Sequence, residues 1–229
     1  MNVKKLFSTQ LKEWLQSSKP NTVDELEAVF AERSFAIVYV ILMALPALPI
    51  PTGGITHVLE VICMLVAIEQ AIGLKTVWLP KKYRSKPLPE FIVKKALPTL
   101  ISTIKKVELH SKRRGSGILQ SSWFGRMSGV AIFGGALAAL LAPPFSGLDT
   151  FPALGVVLMA LGIIIGDMVY FAIGVASTIF GILLELTVGV ALFEAIRRFV
   201  VHGNVQVRII ALVIAVLLVI ILVARERKK

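Results

Sequence analysis

The chain has 229 residues, of which 56% are hydrophobic and 17% are charged, and its formal net charge is +11. Soluble domains are about 45–50% apolar, so this composition excludes an ordinary soluble domain and predicts an integral membrane protein. The single cysteine, Cys63, lies within an apolar run, which excludes an intramolecular disulfide.

Residues 1–33 precede the first apolar run and predict amphipathic helices on the cytoplasmic side. Two lysines lead into a mixed stretch instead of a continuous apolar core, so no cleaved signal peptide is expected. Apolar residues recur at helical spacing over residues 3–15, which indicates either a helix on the membrane surface or one packed on the protein's own cytoplasmic loop. Thr22 and Glu25 form a capping-box pattern for a second helix.

Residues 34–73 predict a first hairpin. Only 12 residues separate Ser34 from Pro46, which is about 18 Å of helix at 1.5 Å per residue, against a hydrocarbon core of about 30 Å. The prolines of the tip sequence ALPALPIPTGG therefore end this helix near the midplane, and the return arm runs from Ile55 to Gly73. A re-entrant hairpin is the first interpretation, and two tilted full spans are the alternative.

Residues 74–122 form a basic connector. Its cationic side chains are Lys75, Lys81, Lys82, Arg84, Lys86, Lys94, Lys95, Lys105, Lys106, Lys112, Arg113 and Arg114, opposed by Glu90 and Glu108. The positive-inside rule places this connector in the cytoplasm, where anionic lipid headgroups are the expected partner and nucleic acid is not. An apolar stripe within it predicts an interfacial helix that is bent or interrupted at Pro98.

Residues 123–166 predict a second hairpin, with a tip at PPFSG. Aligned without gaps, the two hairpins match Arg33 with Arg126, Pro51 with Pro144, Gly54 with Gly147 and Gly73 with Gly166. This correspondence predicts an internal repeat. Small residues spaced four apart predict close helix packing, at Gly125 and Gly129 and again at Ala131, Gly135 and Ala139.

Residues 167–229 predict C-terminal transmembrane helices and a basic cytoplasmic tail. Residues 167–198 form either one long tilted helix or two pieces meeting near Gly181 or Gly189, and residues 205–224 form a single span. With both hairpins open to the cytoplasm, three arginines between residues 197 and 208 fall outside, against the positive-inside rule. A third hairpin at 167–198 would place these arginines inside, but it would then place the basic C-terminal tail outside, against the same rule. The predicted fold is all-α, a multi-spanning helical membrane protein with two Pro/Gly-broken, re-entrant-like hairpin repeats.

Ionisable residues inside membrane runs are costly, so each is a candidate functional residue. His57 and Glu60 lie three apart on one face of the first return arm, and Asp149 lies at the second tip. If the tips meet, these three side chains share one polar pocket that relays a proton, binds a cation or holds a polar headgroup. The alternative is that they satisfy each other or cap the broken helices. Glu185 either lines the same pocket or bonds a neighbouring helix.

The predicted substrate-binding set also contains tip residues, which are Thr52, Gly53, Gly54 and Gly147, and two secondary candidates at the arm ends, Gln70 and Asp167. For the arm ends, interfacial salt bridging is the alternative. The chain has no nucleophile elbow, Walker loop, HExxH or paired CxxC, and its three histidines are too scattered to form a metal site. Neither a catalytic residue, a cofactor nor a metal is therefore expected.

Four segments, ALPALPIPTGG, EQAIG, VWLPKKY and LGIIIGD, resemble the exopolysaccharide synthesis ExoD family of bacterial membrane proteins over residues 28 to 198. The family's Gln-containing arm and Trp-Leu-Pro are matched by Gln70 and residues 78–80. Its Pro-rich second turn and later Gly-Asp pair are matched by Pro144, Gly166 and Asp167. The chain departs from the pattern at Met168, where a small residue is expected, and in lacking an Asn at the second tip.

The resemblance implies involvement in exopolysaccharide synthesis or export at the bacterial inner membrane. One interpretation is that the tip pocket handles a lipid-linked or ionic substrate. A second is a non-transporting scaffold whose basic connector docks polysaccharide synthesis proteins or anionic lipid. A third is a membrane enzyme that acts on lipid-linked sugars.

Overall fold

The computed structural model describes residues 6–17, 22, 25, 29–30, 33–49, 55–78, 87, 90, 92–109, 111–112, 114–119, 121–143 and 146–202. The chain divides into two compact units, Met1–Leu183 and Leu184–Lys229. Within the described residues the regular elements are all helical, and β-pairing is confined to an isolated bridge between Thr22 and Pro87. The predicted all-α class is confirmed.

The helices, numbered in chain order, are α1 (Phe7–Leu15), α2 (Ser34–Met43), α3 (Ile55–Ala71), α4 (Leu97–Glu108), α5 (Ser116–Leu119), α6 (Ser122–Leu141), α7 (Thr150–Ile165) and α8 (Met168–His202). The first break falls where the prolines predict it, because α2 ends at Met43. Just beyond the ends of α3 and α7, Gly73 and Gly166 have φ values of 96° and 82°, which glycine adopts without strain. Of the two arrangements considered for residues 167–198, the structure shows one continuous helix, α8.

Four helices form the core of the first unit. α3 packs along α6 and α2 along α7, while α2 also contacts α3 and α6 contacts α7. Their apolar sequences bury side chains such as Ile37, Met43, Ile132, Val156 and Met159 completely. Such a core is stabilised mainly because its apolar side chains are removed from water and packed closely against one another.

Two contacts fix the direction of the helices. Gln70, near the end of α3, hydrogen-bonds the carbonyl of Gly125 at the start of α6, and the rings of Phe124 and Phe171 lie 4.9 Å apart at the starts of α6 and α8. The two hairpins therefore open at the same end of the unit. We call residues 44–49, 55–60, 142–143 and 146–152 at the other end the tip end.

Small residues bring the helix backbones together. A Cβ added at Gly129 would lie 2.7 Å from the Ala71 nitrogen, and one added at Gly135 would lie 2.7 Å from a methyl of Val156, so close packing is confirmed at both glycines. The prediction is wrong for Gly125, where an added Cβ meets nothing within 4 Å. Gly125, Gly129 and Gly135 all belong to series of small residues spaced four apart, but a Cβ added at Gly129 or Gly135 would meet a neighbouring helix and one added at Gly125 would not.

A second set of close contacts joins α7 to α8 and had no counterpart among the predictions. On α7 it uses Gly155 and Gly162, and on α8 it uses Gly174 and Gly181. The two glycines on each helix are seven residues apart, so they lie on one helical face. We call these four residues the glycine seam.

The N-terminal helix α1 packs on α4, which decides between the two predicted placements in favour of the protein's own connector. Phe7, Leu11 and Trp14 of α1 are buried, as are Leu97, Leu100 and Ile104 of α4. The apolar stripe of the connector therefore faces α1, and its position at a membrane interface stays a prediction. A π-helical turn at Ile92–Ala96 directly precedes α4, so the predicted interruption beside Pro98 is confirmed.

Glu108, the last residue of α4, holds the start of α1. Its carboxylate accepts hydrogen bonds from the backbone N–H groups of Phe7 and Ser8, at 2.8 and 3.3 Å, and from the Ser8 hydroxyl. The first N–H groups of a helix have no partner within the helix, and a carboxylate there also complements the helix dipole. The capping pattern at Thr22 is confirmed too, since its hydroxyl accepts from the Glu25 nitrogen at 3.2 Å.

Among the described residues, two helices are long and apolar enough to cross a membrane, Ser122–Leu141 with 20 residues and Met168–Ala191 with 24. α6 is about 30 Å long and the 10-residue α2 only about 15 Å, so the rising arm of the first hairpin is the shorter one. The predicted span at 205–224 and the basic tail lie outside the described residues.

Candidate functional site at the tip end

His57 and Glu60 form a contact near the start of α3. Their three-residue spacing places both side chains on one helical face, and His57 Nδ1 lies 2.9 Å from Glu60 Oε2. The Glu60 side chain has no exposed surface, whereas the His57 side chain is 34% exposed. The imidazole therefore lies between a buried carboxylate and the surroundings of the protein.

Asp149 comes to this pair from the other hairpin. It precedes the first residue of α7 and makes no side-chain cap hydrogen bond there. Its half-buried carboxylate instead acts electrostatically on Glu60. The structure thus places His57 in contact with Glu60 and Asp149 within electrostatic range of Glu60, and we call His57, Glu60 and Asp149 the tip triad.

Gly147 lies beside the triad in sequence and turns the chain before α7. It is exposed, its φ is 70°, and an added Cβ would meet nothing within 4 Å. Its backbone conformation alone accounts for a glycine at this turn. Three other predicted tip residues, Thr52, Gly53 and Gly54, lie outside the described residues. Glu185 lies on α8 in the second unit, where it is half-buried.

The triad offers carboxylate oxygens and one imidazole. Such a set accepts hydrogen bonds and can exchange protons. Among the residues the structure describes, no group of three or more His, Cys, Asp or Glu side chains is placed to hold a metal ion.

Gln70, a secondary candidate, lies away from the triad in a polar cluster between three helices. Its Oε1 accepts from the Tyr39 hydroxyl of α2 at 2.7 Å, and its Nε2 donates to Ser128 Oγ at 2.9 Å and to the Gly125 carbonyl at 3.0 Å, both on α6. Tyr39 is fully buried and Ser128 is 1% exposed. Because the Gln70 amide is hydrogen-bonded to residues of two other helices, it fixes how those helices pack.

Asp167, the other secondary candidate, joins the connector to the turn between α7 and α8. Its Oδ1 accepts from the Val169 nitrogen at 3.0 Å, which caps α8, and its Oδ2 accepts from the Ser111 hydroxyl at 2.8 Å and the Lys112 nitrogen at 3.2 Å. Burial alone would raise the pKa of this carboxyl, but these hydrogen bonds together with the charge of Arg114 lower it below its usual value. Both secondary candidates thus have structural partners.

Sequence reasoning missed Tyr39, Ser128, Ser111 and Glu108, which carry these polar contacts. Tyr39 and Ser128 were detectable as polar interruptions of apolar helical runs, because a buried hydroxyl needs a partner. Nothing local distinguishes Glu108 or Ser111 from other polar residues of the connector, since their partners are about 100 and 56 positions away in sequence.

The fold and the site define a class of protein. It is a helical protein with two helices long and apolar enough to cross a membrane, and it holds ionisable side chains at the end where its helices are broken. No solved structure matches the chain.

The chain belongs to the family described as "Exopolysaccharide synthesis, ExoD", which matches residues 7–187. The resemblance seen in the sequence is confirmed.

One curated relative is an uncharacterized protein from Synechocystis sp. It is 32% identical over 140 residues, a region that covers 59% of this chain and 63% of the relative. The chain thus spans less than two thirds of that relative's length.

Proposed function

We propose that this protein supports exopolysaccharide synthesis or export from the bacterial inner membrane, and that the tip triad handles a lipid-linked or ionic substrate. In this proposal the chain is multi-pass, its two hairpins are re-entrant repeats, and the basic connector and the C-terminus are cytoplasmic. Both tips then reach into the membrane from the cytoplasmic side.

One observation carries the proposal. Glu60 is fully buried, it contacts His57 at 2.9 Å, and it feels the charge of Asp149 from the other hairpin. A carboxylate in an apolar core is costly unless it is paired or serves a function, and here the second charge is of the same sign. Convergence of these groups at two helix breaks is the pattern of polar sites inside membrane proteins.

Exposed apolar surface supports a membrane location. On α3 the exposed side chains Ile55, Val58, Ile62 and Leu65 recur at three- and four-residue spacing, so this part of one helix face is apolar and uncovered in the first unit. Trp78, beyond the end of α3, and Trp123, at the start of α6, are 67% and 70% exposed. Exposed tryptophans beside apolar helices are typical of a membrane–water interface.

The test is polysaccharide output from cells that depend on variants of this protein. We expect the Glu60→Gln and Asp149→Asn variants, alone and combined, to lower output strongly while their membrane levels stay normal. Glu90→Gln makes the same chemical change at a residue whose side chain is 82% exposed, and should keep normal output. Normal output from a well-expressed double variant would refute a role for the triad.

The scaffold alternative has an observation of its own. On the π-helical turn and α4 the side chains of Lys94, Lys95, Lys105 and Lys106 are exposed, while the apolar side of α4 is covered by α1. A surface of this kind binds acidic partners or anionic lipid by charge alone. Replacing Lys95, Lys105 and Lys106 with Gln should then abolish output, and the triad variants should have no effect.

A further inference from the structure

The segments that meet at the tip end contain acidic residues but no permanently charged basic residue. Residues 34–74 and 127–196, which contain the first hairpin, the second hairpin beyond Arg126 and most of α8, include neither Lys nor Arg. Of the tip triad, Glu60 and Asp149 are acids, and only His57 can carry a positive charge. Whatever the protonation state of His57, two ionised carboxylates leave the triad with a net negative charge.

Glu60 also has a buried carboxylate oxygen that lacks a hydrogen-bond donor among the described residues. Its Oε2 contacts His57, but its Oε1 is buried and accepts no hydrogen bond from any residue that the structure describes. An unpaired acceptor in a buried position is unfavourable by an amount comparable to a lost hydrogen bond. A hydrogen-bond donor that approached Oε1 would remove this penalty.

These features disfavour a phosphate group at the triad. A phosphate or diphosphate group is an anion, and proteins bind it with Arg, Lys, helix N-terminal N–H groups or a bound cation, whereas carboxylates alone repel it. Among the described residues, no group of three or more His, Cys, Asp or Glu side chains is placed to hold a metal ion. A group that carries hydroxyl or ammonium donors fits both the charge and the free oxygen.

We propose that the tip triad binds the sugar portion of the substrate through its hydroxyl groups, and that any phosphate of a lipid carrier stays outside the triad. This inference rests on the proposed function and names its ligand. Sugar hydroxyls donate to carboxylate oxygens, and such charge-assisted hydrogen bonds are stronger than neutral ones. Glu60 Oε1 and the Asp149 carboxylate are the acceptors, and His57 holds Glu60 in place.

The test is ligand binding to the purified full-length chain in detergent micelles, with cellobiose and inorganic pyrophosphate as separate probes. Saturation-transfer NMR should detect cellobiose, and pyrophosphate should neither bind nor compete. Glu60→Gln and Asp149→Asn should each weaken cellobiose binding roughly tenfold or more, as expected for loss of a hydrogen bond to a charged group. Glu90→Gln, matched to Glu60→Gln in chemistry, should leave binding unchanged.

Two results would overturn the inference. One is cellobiose binding that is absent, or equal in the wild type and in the folded Asp149→Asn variant, whose half-buried side chain caps no helix. The other is pyrophosphate binding that the Glu60→Gln variant abolishes. Either result combined with low polysaccharide output from the triad variants would leave the proposed function standing with a different ligand. Normal output from those variants would instead remove the proposed function itself.

Discussion

The glycine seam between α7 and α8 allows a sharp test of the fold. In the Gly174→Ala variant, the new Cβ of α8 would lie 2.5 Å from the Met159 nitrogen and 2.6 Å from the Gly155 oxygen of α7. Both neighbours are backbone atoms, so no side chain can rotate away and the two helices must move apart. Overpacking of this kind costs about 1–3 kcal/mol.

A matched substitution isolates that packing cost. Gly134 lies inside α6, and an added Cβ there meets nothing within 4 Å. Both substitutions gain roughly 1 kcal/mol of helix propensity, so the difference between the variants reports the clash alone. We expect Gly174→Ala to be about 1–3 kcal/mol less stable than Gly134→Ala, or several degrees lower in Tm at roughly 2–4 °C per kcal/mol.

Thermal unfolding of the two purified variants in the same detergent, followed by far-UV circular dichroism, measures this difference. If Gly174→Ala unfolds at the same temperature as Gly134→Ala, or at a higher one, then α7 and α8 do not pack through the seam and the geometry argued above is wrong.

Three further substitutions test the polar contacts. Tyr39→Phe leaves Oε1 of the half-buried Gln70 without its 2.7 Å donor and should lower the free energy of unfolding by about 1–3 kcal/mol in denaturation experiments. Glu108→Gln removes the charged cap of α1 and should weaken α1 docking by about 1 kcal/mol, seen as a red shift in the fluorescence of the buried Trp14. Because the pKa of Asp167 is lowered in the folded protein, its ionised form stabilises the fold above the ordinary value of about 3.9, and this contribution is lost as the pH falls through the lower folded-state pKa. The Tm deficit of Asp167→Asn should therefore be full at pH 7 and shrink below about pH 4.

Each of these expectations has a control. Tyr170→Phe removes a hydroxyl from a half-buried tyrosine outside the Gln70 cluster, and an equal loss there would contradict the role assigned to Tyr39. For Glu108 the control is Glu90→Gln, and the Trp14 signal is read with Trp78 and Trp123 replaced by Phe. An Asp167→Asn deficit that stays constant down to pH 3 would show that the carboxylate charge does not stabilise the fold.

Local sequence signals predicted the helices and the main break well. The prolines before residue 52 and the glycines at positions 73 and 166 act through their own backbone geometry, so their effect does not depend on distant neighbours. The contact between His57 and Glu60 was predictable for the same reason, because a three-residue spacing fixes it within one helix turn. The internal repeat and the re-entrant path stay predictions.

Predictions about which helix faces meet were less complete. The apolar stripe around Pro98 predicts a membrane interface, and the structure shows that this stripe packs on α1. Gly125 and Gly129 share one spacing, but only Gly129 meets another backbone. An apolar helix face predicts contact with other apolar groups, but the pattern does not distinguish whether lipid, another helix or a loop makes that contact.

By itself, the sequence determined the helical class, the apolar composition expected of a membrane protein, the positions of the breaks and the membership of the ExoD family. These properties are encoded in composition and in contacts between near neighbours along the chain. The tertiary structure decided that Asp149 acts on Glu60, that Gln70 joins three helices and that Glu108 holds α1. Such pairings depend on which faces meet after the chain folds, because long-range packing selects one arrangement from many with the same local pattern.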